Sequence, residues 1–180
     1  MSKKTNFANI KLLAVDVDGV LTDGSIVIGQ DGELCKHFSV LDGLGIRVAI
    51  RKGMQFSIIT GRHSEILLHR AMELNISSVY ENVVDKGETL TQIAKETGID
   101  MADVAFMGDD LNDLSALDIA GASFAPANAV DAVKEFVDYV TVKTGGAGAV
   151  REVVEKILTD KGIWQDVVDS YIKRGQGDQQ

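Results

Sequence analysis

A short apolar run that ends in two carboxylates constrains this chain most. Leu12 to Val15 is apolar throughout, and Asp16 and Asp18 follow it directly. Such a run is typical of a strand in a parallel sheet that is covered on both faces, where ligands bind beyond the carboxyl ends of the strands. Residues two apart in an extended chain point the same way, so Asp16 and Asp18 should both face that crevice. Carboxylates this close repel each other unless positive charge lies between them, which favours a hard cation.

Strand-like and helix-like segments alternate along the rest of the chain, which predicts an α/β fold with a mainly parallel, Rossmann-like sheet and helices on both faces. Two β-type runs around a Gly/Asp-rich loop predict a protruding hairpin at about 25–40. We expect one domain over 1–180, with C-terminal helices at about 147–172 and a polar, mobile tail from 174. The predicted strands are 12–15, 56–59, 77–80, 104–107, 123–125 and 139–142, and the earlier helices are 41–52, 64–74, 87–97, 111–120 and 130–136.

The composition limits the possible partners. The 180 residues carry a net charge of −9, which argues against nucleic acid or an anionic membrane surface as a partner. The only cysteine, Cys35, excludes an internal disulfide, and no apolar run is long enough to span a membrane. The first residues lack the apolar region of a signal peptide. A soluble, cytoplasmic protein is therefore expected.

Polar clusters follow three of the predicted strands, and their side chains should meet at one edge of a parallel sheet. They are Asp16 with Asp18, Thr60 with Gly61 and Arg62, and Asp109 with Asp110 and Asp113, and Lys86 stands before a helix. Each cluster alone is also explained as a turn or a helix cap. Together they provide carboxylates for Mg²⁺, a hydroxyl and an ammonium group, the groups that phosphoryl transfer uses. The combination therefore predicts a phosphoryl-transfer site.

These four clusters, in this order, resemble the motifs of the haloacid dehalogenase-like phosphohydrolases. The resemblance implies that Asp16 is the nucleophile that forms an aspartyl-phosphate. It implies that Asp18 protonates the leaving group, then activates water, and also binds Mg²⁺ through its backbone carbonyl. By the same resemblance, Asp16, Asp18 and Asp109 hold the metal.

The same likeness gives roles to the remaining clusters. Thr60 and Lys86 are expected to hold the phosphoryl group, and Asp110 and Asp113 to support the metal site. The segments between the motifs have room for a hairpin and single helices but not for a separate lid domain. A capless active site is open to water unless a neighbouring subunit covers it.

The chain is similar over nearly its full length to one capless branch, the 3-deoxy-D-manno-octulosonate 8-phosphate phosphatases of lipopolysaccharide precursor synthesis. The segments that carry this likeness are 16–24, 38–47, 59–62 and 145–152. It implies a homotetramer whose hairpins associate, and a small anionic sugar-phosphate as substrate. Arginines suit a sugar acid that carries both carboxylate and phosphate. The implied substrate contacts are Asp18, Ser39, Val40, Leu41, Asp42, Gly43, Arg47, Thr60, Gly61, Arg62, Arg70 and Lys86.

Two positions depart from the pattern of this branch. Leu41 replaces an arginine, and Ala147 replaces a basic residue among the glycines of 145–148. Both changes remove positive charge from the expected neighbourhood of an anionic substrate. A phosphatase for a nine-carbon, sialic-acid-type sugar 9-phosphate is therefore the alternative within this class.

Two alternatives belong to other classes of protein. A receiver-type signalling domain also combines a strand-end aspartate, a hydroxyl, a lysine and Mg²⁺, but it is a phosphorylation switch without turnover. Asp18 and the late Asp109 cluster argue against it, because receivers carry their extra acids before the phosphorylated aspartate. A catalytically silent scaffold is the other alternative, and the full set of motif residues argues against that.

Overall fold

A six-stranded parallel sheet forms the centre of the molecule, in a computed structural model that describes residues 7–174. The strand order is β5–β4–β1–β6–β7–β8, and every neighbouring pair is parallel. β1 therefore lies inside the sheet, with all four of its residues buried. The strands are β1 (Leu12–Val15), β4 (Gln55–Ile59), β5 (Ser78–Tyr80), β6 (Val104–Met107), β7 (Ala122–Ala125) and β8 (Tyr139–Val140).

Helices cover both faces of this sheet, as the sequence predicts. One buried apolar cluster lies beneath α1, α6 and α7, and a second lies beneath α3, α4 and α5. The sheet therefore separates two cores, which explains why its strands are apolar on both faces. The helices are α1 (Val40–Arg51), α2 (Glu65–Glu73), α3 (Lys86–Thr97), α4 (Leu114–Ile119), α5 (Asp131–Lys134), α6 (Ala149–Asp160) and α7 (Trp164–Arg174), with 3₁₀ turns at Phe7–Asn9, Met101–Asp103 and Leu111–Asp113.

The hairpin β2 (Val27–Gly29) and β3 (Gly32–Cys35) is antiparallel and forms a sheet of its own. It runs from Val27 to Cys35 and is therefore shorter at both ends than the hairpin predicted at about 25–40. After Cys35 the chain turns inward and buries the Lys36 side chain against the carboxyl edge of the main sheet. Together with α1 the hairpin fills the segment before β4, so no lid domain stands between the first two motifs.

Two other elements differ from the sequence prediction. The predicted helix 111–120 begins as a 3₁₀ turn and becomes α-helical only at Leu114. The last strand ends at Val140 because the amides of Val142 and Lys143 donate to the Glu152 carboxylate instead of to a neighbouring strand. The predicted mobile tail begins at Arg174, which the structure instead places at the end of α7, and its other residues, 175–180, lie outside the described residues. Between residues 7 and 174, no helix combines the length and the apolar character that a membrane span requires.

Candidate active site

The carboxyl ends of three neighbouring strands carry the predicted motif residues. Asp16 follows β1, Thr60 follows β4 and Asp109 comes shortly after β6, and β1 pairs with both other strands. The chain moves from β1 to one side of the sheet through β4 and then returns to the other side at β6. Ligands bind at such a topological switch point in open α/β sheets. The fold thus places these clusters at the edge where a site is expected.

Lys86 lies at the centre of the site, between two carboxylates. Its ammonium nitrogen is 2.9 Å from Oδ1 of Asp16 and 2.5 Å from Oδ1 of Asp113, and all three side chains are almost fully buried. Asp85 caps α3 by accepting hydrogen bonds from the amides of Gly87 and Glu88. This cap begins the helix at Lys86 and fixes the base of its side chain.

Asp113 also organises the loop that carries Asp109. Its Oδ2 accepts hydrogen bonds from the amides of Asp109 at 2.8 Å and Asp110 at 3.3 Å. A Cβ at Gly108 would lie 2.4 Å from the Asp113 side chain, so glycine is required for this close turn. Asp110 caps the following 3₁₀ turn through the amide of Leu111. Asp110 and Asp113 thus support the position of Asp109.

The carboxylates of this cluster are electrostatically unfavourable together. Burial, followed by the negative charge of Asp113, raises the pKa of Asp16 to about 6 against the opposing charge of Lys86. Burial and the charges of Asp16, Asp113 and Asp110 raise the pKa of Asp109 to about 7. Burial by itself would lower the pKa of Lys86, but Asp16 and Asp113 raise it above its usual value. One ammonium therefore does not balance the negative charge of the site.

The donor set fits a hard divalent cation. Asp16, Asp109 and Asp113 each offer one carboxylate oxygen, and these oxygens all lie within 4.8 Å of one another. Oδ1 of Asp16 is buried without a hydrogen bond in the described part of the chain, and the Lys86 ammonium forms an ion pair with it at 2.9 Å. Oxygen ligands in excess of positive charge are what Mg²⁺ requires.

Asp18 lies in a second polar cluster, which includes a residue that the sequence reasoning missed. Its Oδ1 accepts a hydrogen bond of 2.5 Å from the Lys36 ammonium, and its Oδ2 is 3.8 Å from Nε of Arg62. Lys36 also lies 2.9 Å from Glu33. Burial works to lower the pKa of Lys36, but the hydrogen bonds that its ammonium donates to Asp18 and Glu33 raise that pKa above its usual value. The alternating pattern of the hairpin gave no sign that Lys36 would turn inward.

Several predicted substrate contacts form a third cluster, at the start of α1. Ser39 caps α1 by accepting from the amide of Leu41, and a guanidinium nitrogen of Arg70 lies 3.5 Å from its carbonyl oxygen. A Cβ at Gly43 would lie 2.4 Å from Arg70, so Arg70 packs directly over this turn. Val40 and Leu41 are exposed here, and Arg47 is half-buried further along α1. Thr60 is buried and accepts from the amide of Arg62, with Gly61 exposed between them.

Asp42 has a different set of partners from its neighbours. Its two oxygens accept hydrogen bonds from the amides of Gly148 at 3.1 Å and Arg151 at 2.8 Å. The carboxylate therefore caps the start of α6. On the same side, a Cβ at Gly148 would lie 3.5 Å from the Leu41 side chain. The loop that contains Ala147 thus reaches the first turn of α1.

Asn128 is a second site residue that the sequence reasoning missed. Its side chain donates to the carbonyl of Gly19 at 2.9 Å and accepts from the amide of Gly145 at 2.6 Å. It therefore joins the turn after Asp18 to the glycine loop before α6. A Cβ at Gly19, whose φ is +91°, would collide with the Asp109 carboxylate. No local pattern signals Asn128, because its partners are distant in the chain.

Comparison with known sequences gives consistent matches. A family model described as haloacid dehalogenase-like hydrolase matches residues 70–153. The 3-deoxy-D-manno-octulosonate 8-phosphate phosphatase of Escherichia coli strain K12 is 40% identical over 86% of this chain and 82% of its own length. The enzyme of the same description from Haemophilus influenzae is also 40% identical, over 86% of each chain.

Solved structures agree in fold along nearly the whole chain. A phosphatase of the same description from Moraxella catarrhalis, in complex with magnesium, phosphate and a KDO molecule, has a TM-score of 0.90 at 40% identity and covers 92% of this chain and 95% of its own. The cobalt-bound Haemophilus influenzae enzyme has a TM-score of 0.87 at 38% identity, with 88% and 93% covered.

Proposed function

This chain belongs to the haloacid dehalogenase-like hydrolases and, within them, to the family of 3-deoxy-D-manno-octulosonate 8-phosphate phosphatases, and we propose from this premise that it hydrolyses that sugar-acid phosphate to the free sugar acid and phosphate. The proposed cofactor is Mg²⁺, held by Asp16, Asp109 and the backbone carbonyl of Asp18. The unpaired Cys35 fits the reducing cytoplasm as the place of action.

In the first proposed step, a carboxylate oxygen of Asp16 attacks phosphorus, and the bond from phosphorus to the sugar oxygen breaks. Asp18 gives its proton to that leaving oxygen, so the sugar acid departs as an alcohol. Lys86 and Thr60 hold the oxygens of the phosphoryl group during transfer. The result is an aspartyl-phosphate on Asp16.

In the second step, the ionised Asp18 takes a proton from a water molecule, which attacks the phosphorus of the aspartyl-phosphate. The bond from phosphorus to Asp16 breaks and phosphate leaves, so Asp16 is again a carboxylate and Asp18 is again protonated. Bound Mg²⁺ would neutralise negative charge on the transferring phosphoryl group. Asp110 and Asp113 keep the loop of Asp109 in place by the hydrogen bonds described above.

The observation that carries this proposal is the buried Asp16, with Lys86 beside one oxygen and Asp18 two residues further on. A structural aspartate at a strand end would be expected to have both oxygens hydrogen-bonded when buried. In the described structure, Oδ1 of Asp16 instead has no hydrogen bond and only the ion pair with Lys86, and the environment of the carboxyl group raises its pKa. Such a group at a switch point is typical of a catalytic carboxylate.

The test is Mg²⁺-dependent release of phosphate from 3-deoxy-D-manno-octulosonate 8-phosphate by the purified full chain. We expect multiple turnovers, and we expect Asp16→Asn to lose at least about 10³-fold in kcat because the nucleophile is gone. The matched control is Asp131→Asn, the same change at an exposed position on α5. A single stoichiometric phosphorylation without turnover would instead support the receiver-type switch, and no reaction at all would support the silent scaffold.

One observation favours the nine-carbon alternative for the sugar acid. The two departures from the family pattern, Leu41 and Ala147, lie on segments that meet, since Leu41 packs next to Gly148. Positive charge is therefore lost at one place rather than at two unrelated places. The test measures kcat/KM for a panel of eight- and nine-carbon sugar-acid phosphates and ranks the substrates by that value. A clear preference for the nine-carbon substrate would replace the first assignment.

A further inference from the structure

Lys36 is a buried charged residue that the proposed mechanism does not yet use. Its side chain is only 2% exposed, and its ammonium is bound to two carboxylates, those of Asp18 and Glu33. A buried ammonium is costly unless it is paired and hydrogen-bonded, so this arrangement needs both partners. The hairpin thereby places a fixed positive charge directly against the proposed acid/base residue.

The position of Lys36 is fixed from outside the hairpin as well. The other oxygen of Glu33 accepts a short hydrogen bond from the hydroxyl of Ser64, which is the N-cap of α2. The amide of Ser64 in turn donates to Glu81 at 2.8 Å. The chain of contacts therefore runs from the start of α2 through Glu33 and Lys36 to Asp18. Because α2 packs on the main sheet, Lys36 is anchored to the rigid part of the molecule.

The two oxygens of Asp18 are consequently not equivalent. Oδ1 is occupied by the Lys36 ammonium at 2.5 Å, while the guanidinium of Arg62 stands 3.8 Å from Oδ2, beyond hydrogen-bond distance. Arg62 is half-exposed and can move, whereas Lys36 cannot move without leaving a buried charge unpaired. The rotamer of Asp18 is therefore set by Lys36.

We propose that Lys36 is a positioning residue, which holds Oδ1 of Asp18 so that Oδ2 is the atom that exchanges protons with the leaving group and with water. This inference rests on the proposed phosphatase activity. When the bond from phosphorus to the leaving oxygen breaks, the proton on Oδ2 goes to that oxygen. When water attacks the aspartyl-phosphate, Oδ2 takes the proton of the water. Lys36 itself gains and loses no proton in either step.

This role predicts a dependence on the leaving group that a general structural role would not produce. An alkyl alkoxide is a poor leaving group and needs a well-placed proton, whereas p-nitrophenolate leaves without one. Loss of Lys36 should therefore slow the first chemical step for sugar phosphates much more than for p-nitrophenyl phosphate. The quantity to compare is kcat/KM, because it reports steps up to the first irreversible one.

The experiment measures kcat/KM of the wild type and of Lys36→Met with three substrates: the sugar-acid phosphate, glucose 6-phosphate, whose sugar carries no carboxylate, and p-nitrophenyl phosphate. We expect a fall of about 10- to 100-fold for both sugar phosphates and of less than about 3-fold for the aryl phosphate. Lys36→Arg, which keeps the charge, should recover part of the lost activity. Lys11→Met is the matched control, because Lys11 pairs with Asp103 at the opposite end of β1.

Each contrary outcome has a distinct meaning. An equal fall for all three substrates, or no fall, would overturn the positioning role. A fall confined to the sugar-acid phosphate would also overturn it, since Lys36 would then bind the substrate carboxylate. Inactivity of the wild type on every substrate would reject the proposed function instead. Circular dichroism and Mg²⁺ affinity of Lys36→Met are measured alongside, and the substrate ratios remain informative even if that variant is less stable.

Discussion

At the scale of single residues, the excess of carboxylates in the site favours cation binding and destabilises the metal-free chain. Asp16, Asp109 and Asp113 share a small buried volume with one ammonium, that of Lys86. Burial and mutual repulsion raise the pKa of Asp16 to about 6 and that of Asp109 to about 7. Proteins commonly tolerate such destabilised groups where function requires them.

Asp109→Asn should therefore stabilise the metal-free protein at neutral pH. The folded-state pKa of Asp109 is raised, so the folded chain binds the proton more tightly than the unfolded chain does. Stability is then lost as pH rises from about 4 to about 7, and the loss is complete above about pH 7. At pH 7.5 we expect the variant to melt several degrees higher than the wild type, since each kcal/mol of stability is worth roughly 2–4 °C in a chain of this size. Near pH 4 the two proteins should have the same melting temperature.

The measurement is a series of thermal melts in EDTA across this pH range. Asp131→Asn is the control, because it makes the same change at an exposed position and should leave the pH dependence as it is. Adding Mg²⁺ should raise the melting temperature of the wild type and have much less effect on Asp109→Asn. A difference between wild type and Asp109→Asn that stays constant from pH 4 to pH 8 would contradict the assignment.

At the scale of elements, the start of α6 depends on a side chain from another helix. Its N-cap position is Gly148, which has no side chain to accept the free amides of the first turn. Asp42 of α1 supplies the acceptors through both of its oxygens. α1 and α6 thus share a polar joint as well as their apolar contact. The family resemblance implies a substrate contact for Asp42, so this residue has two competing explanations.

Asp42→Ala separates these explanations. If the carboxylate caps α6, its loss should cost about 1–2 kcal/mol of stability, which lowers the melting temperature by roughly 2–8 °C while KM changes little. Asp42→Asn, which keeps one acceptor oxygen, should lie between wild type and alanine. Thermal melts and steady-state kinetics on the same samples provide the comparison. An unchanged melting temperature with a large rise in KM would make Asp42 a substrate residue instead.

At the scale of the whole molecule, the hairpin β2–β3 presents apolar side chains that nothing in residues 7–174 covers. Ile28 is 71% exposed and Leu34 is 66% exposed, and Ile26 and Val27 are also exposed. An isolated two-stranded hairpin is at best marginally stable in water, so this surface favours association. We infer that hairpins of several copies pack together, in agreement with the homotetramer that the family resemblance implies.

The double variant Ile28→Glu/Leu34→Glu should therefore dissociate the assembly, because it would bury charges at the centre of the contact. We expect light scattering coupled to gel filtration to give a tetramer for the wild type and a smaller species for the variant. Met72→Glu is the control, since Met72 is similarly exposed but lies on α2. A monomeric wild type, or a variant that keeps the wild-type mass, would reject this surface as the contact.

The α/β class, the burial of β1 and the polar strand ends that make up the site could all be predicted from the sequence alone. These features are local: an apolar run of four residues is enough to specify a buried strand, and Asp16 must then stand at its carboxyl end. The caps Ser39, Ser64 and Asp85 are local in the same way, since each side chain caps amides within three residues of itself, although the sequence prediction began these helices at 41, 64 and 87.

The contacts between distant side chains could be read from the folded structure but not from the sequence. Lys36 on Asp18, Asn128 between Gly19 and Gly145, and Asp42 on α6 all join residues from separate parts of the chain. Such contacts depend on the paths of loops, which are set by the packing of many residues at once and leave no periodic trace in sequence. The sequence therefore identifies Asp18 as a carboxylate of the site. The Lys36 ammonium that orients it can be identified only from the folded position of the hairpin.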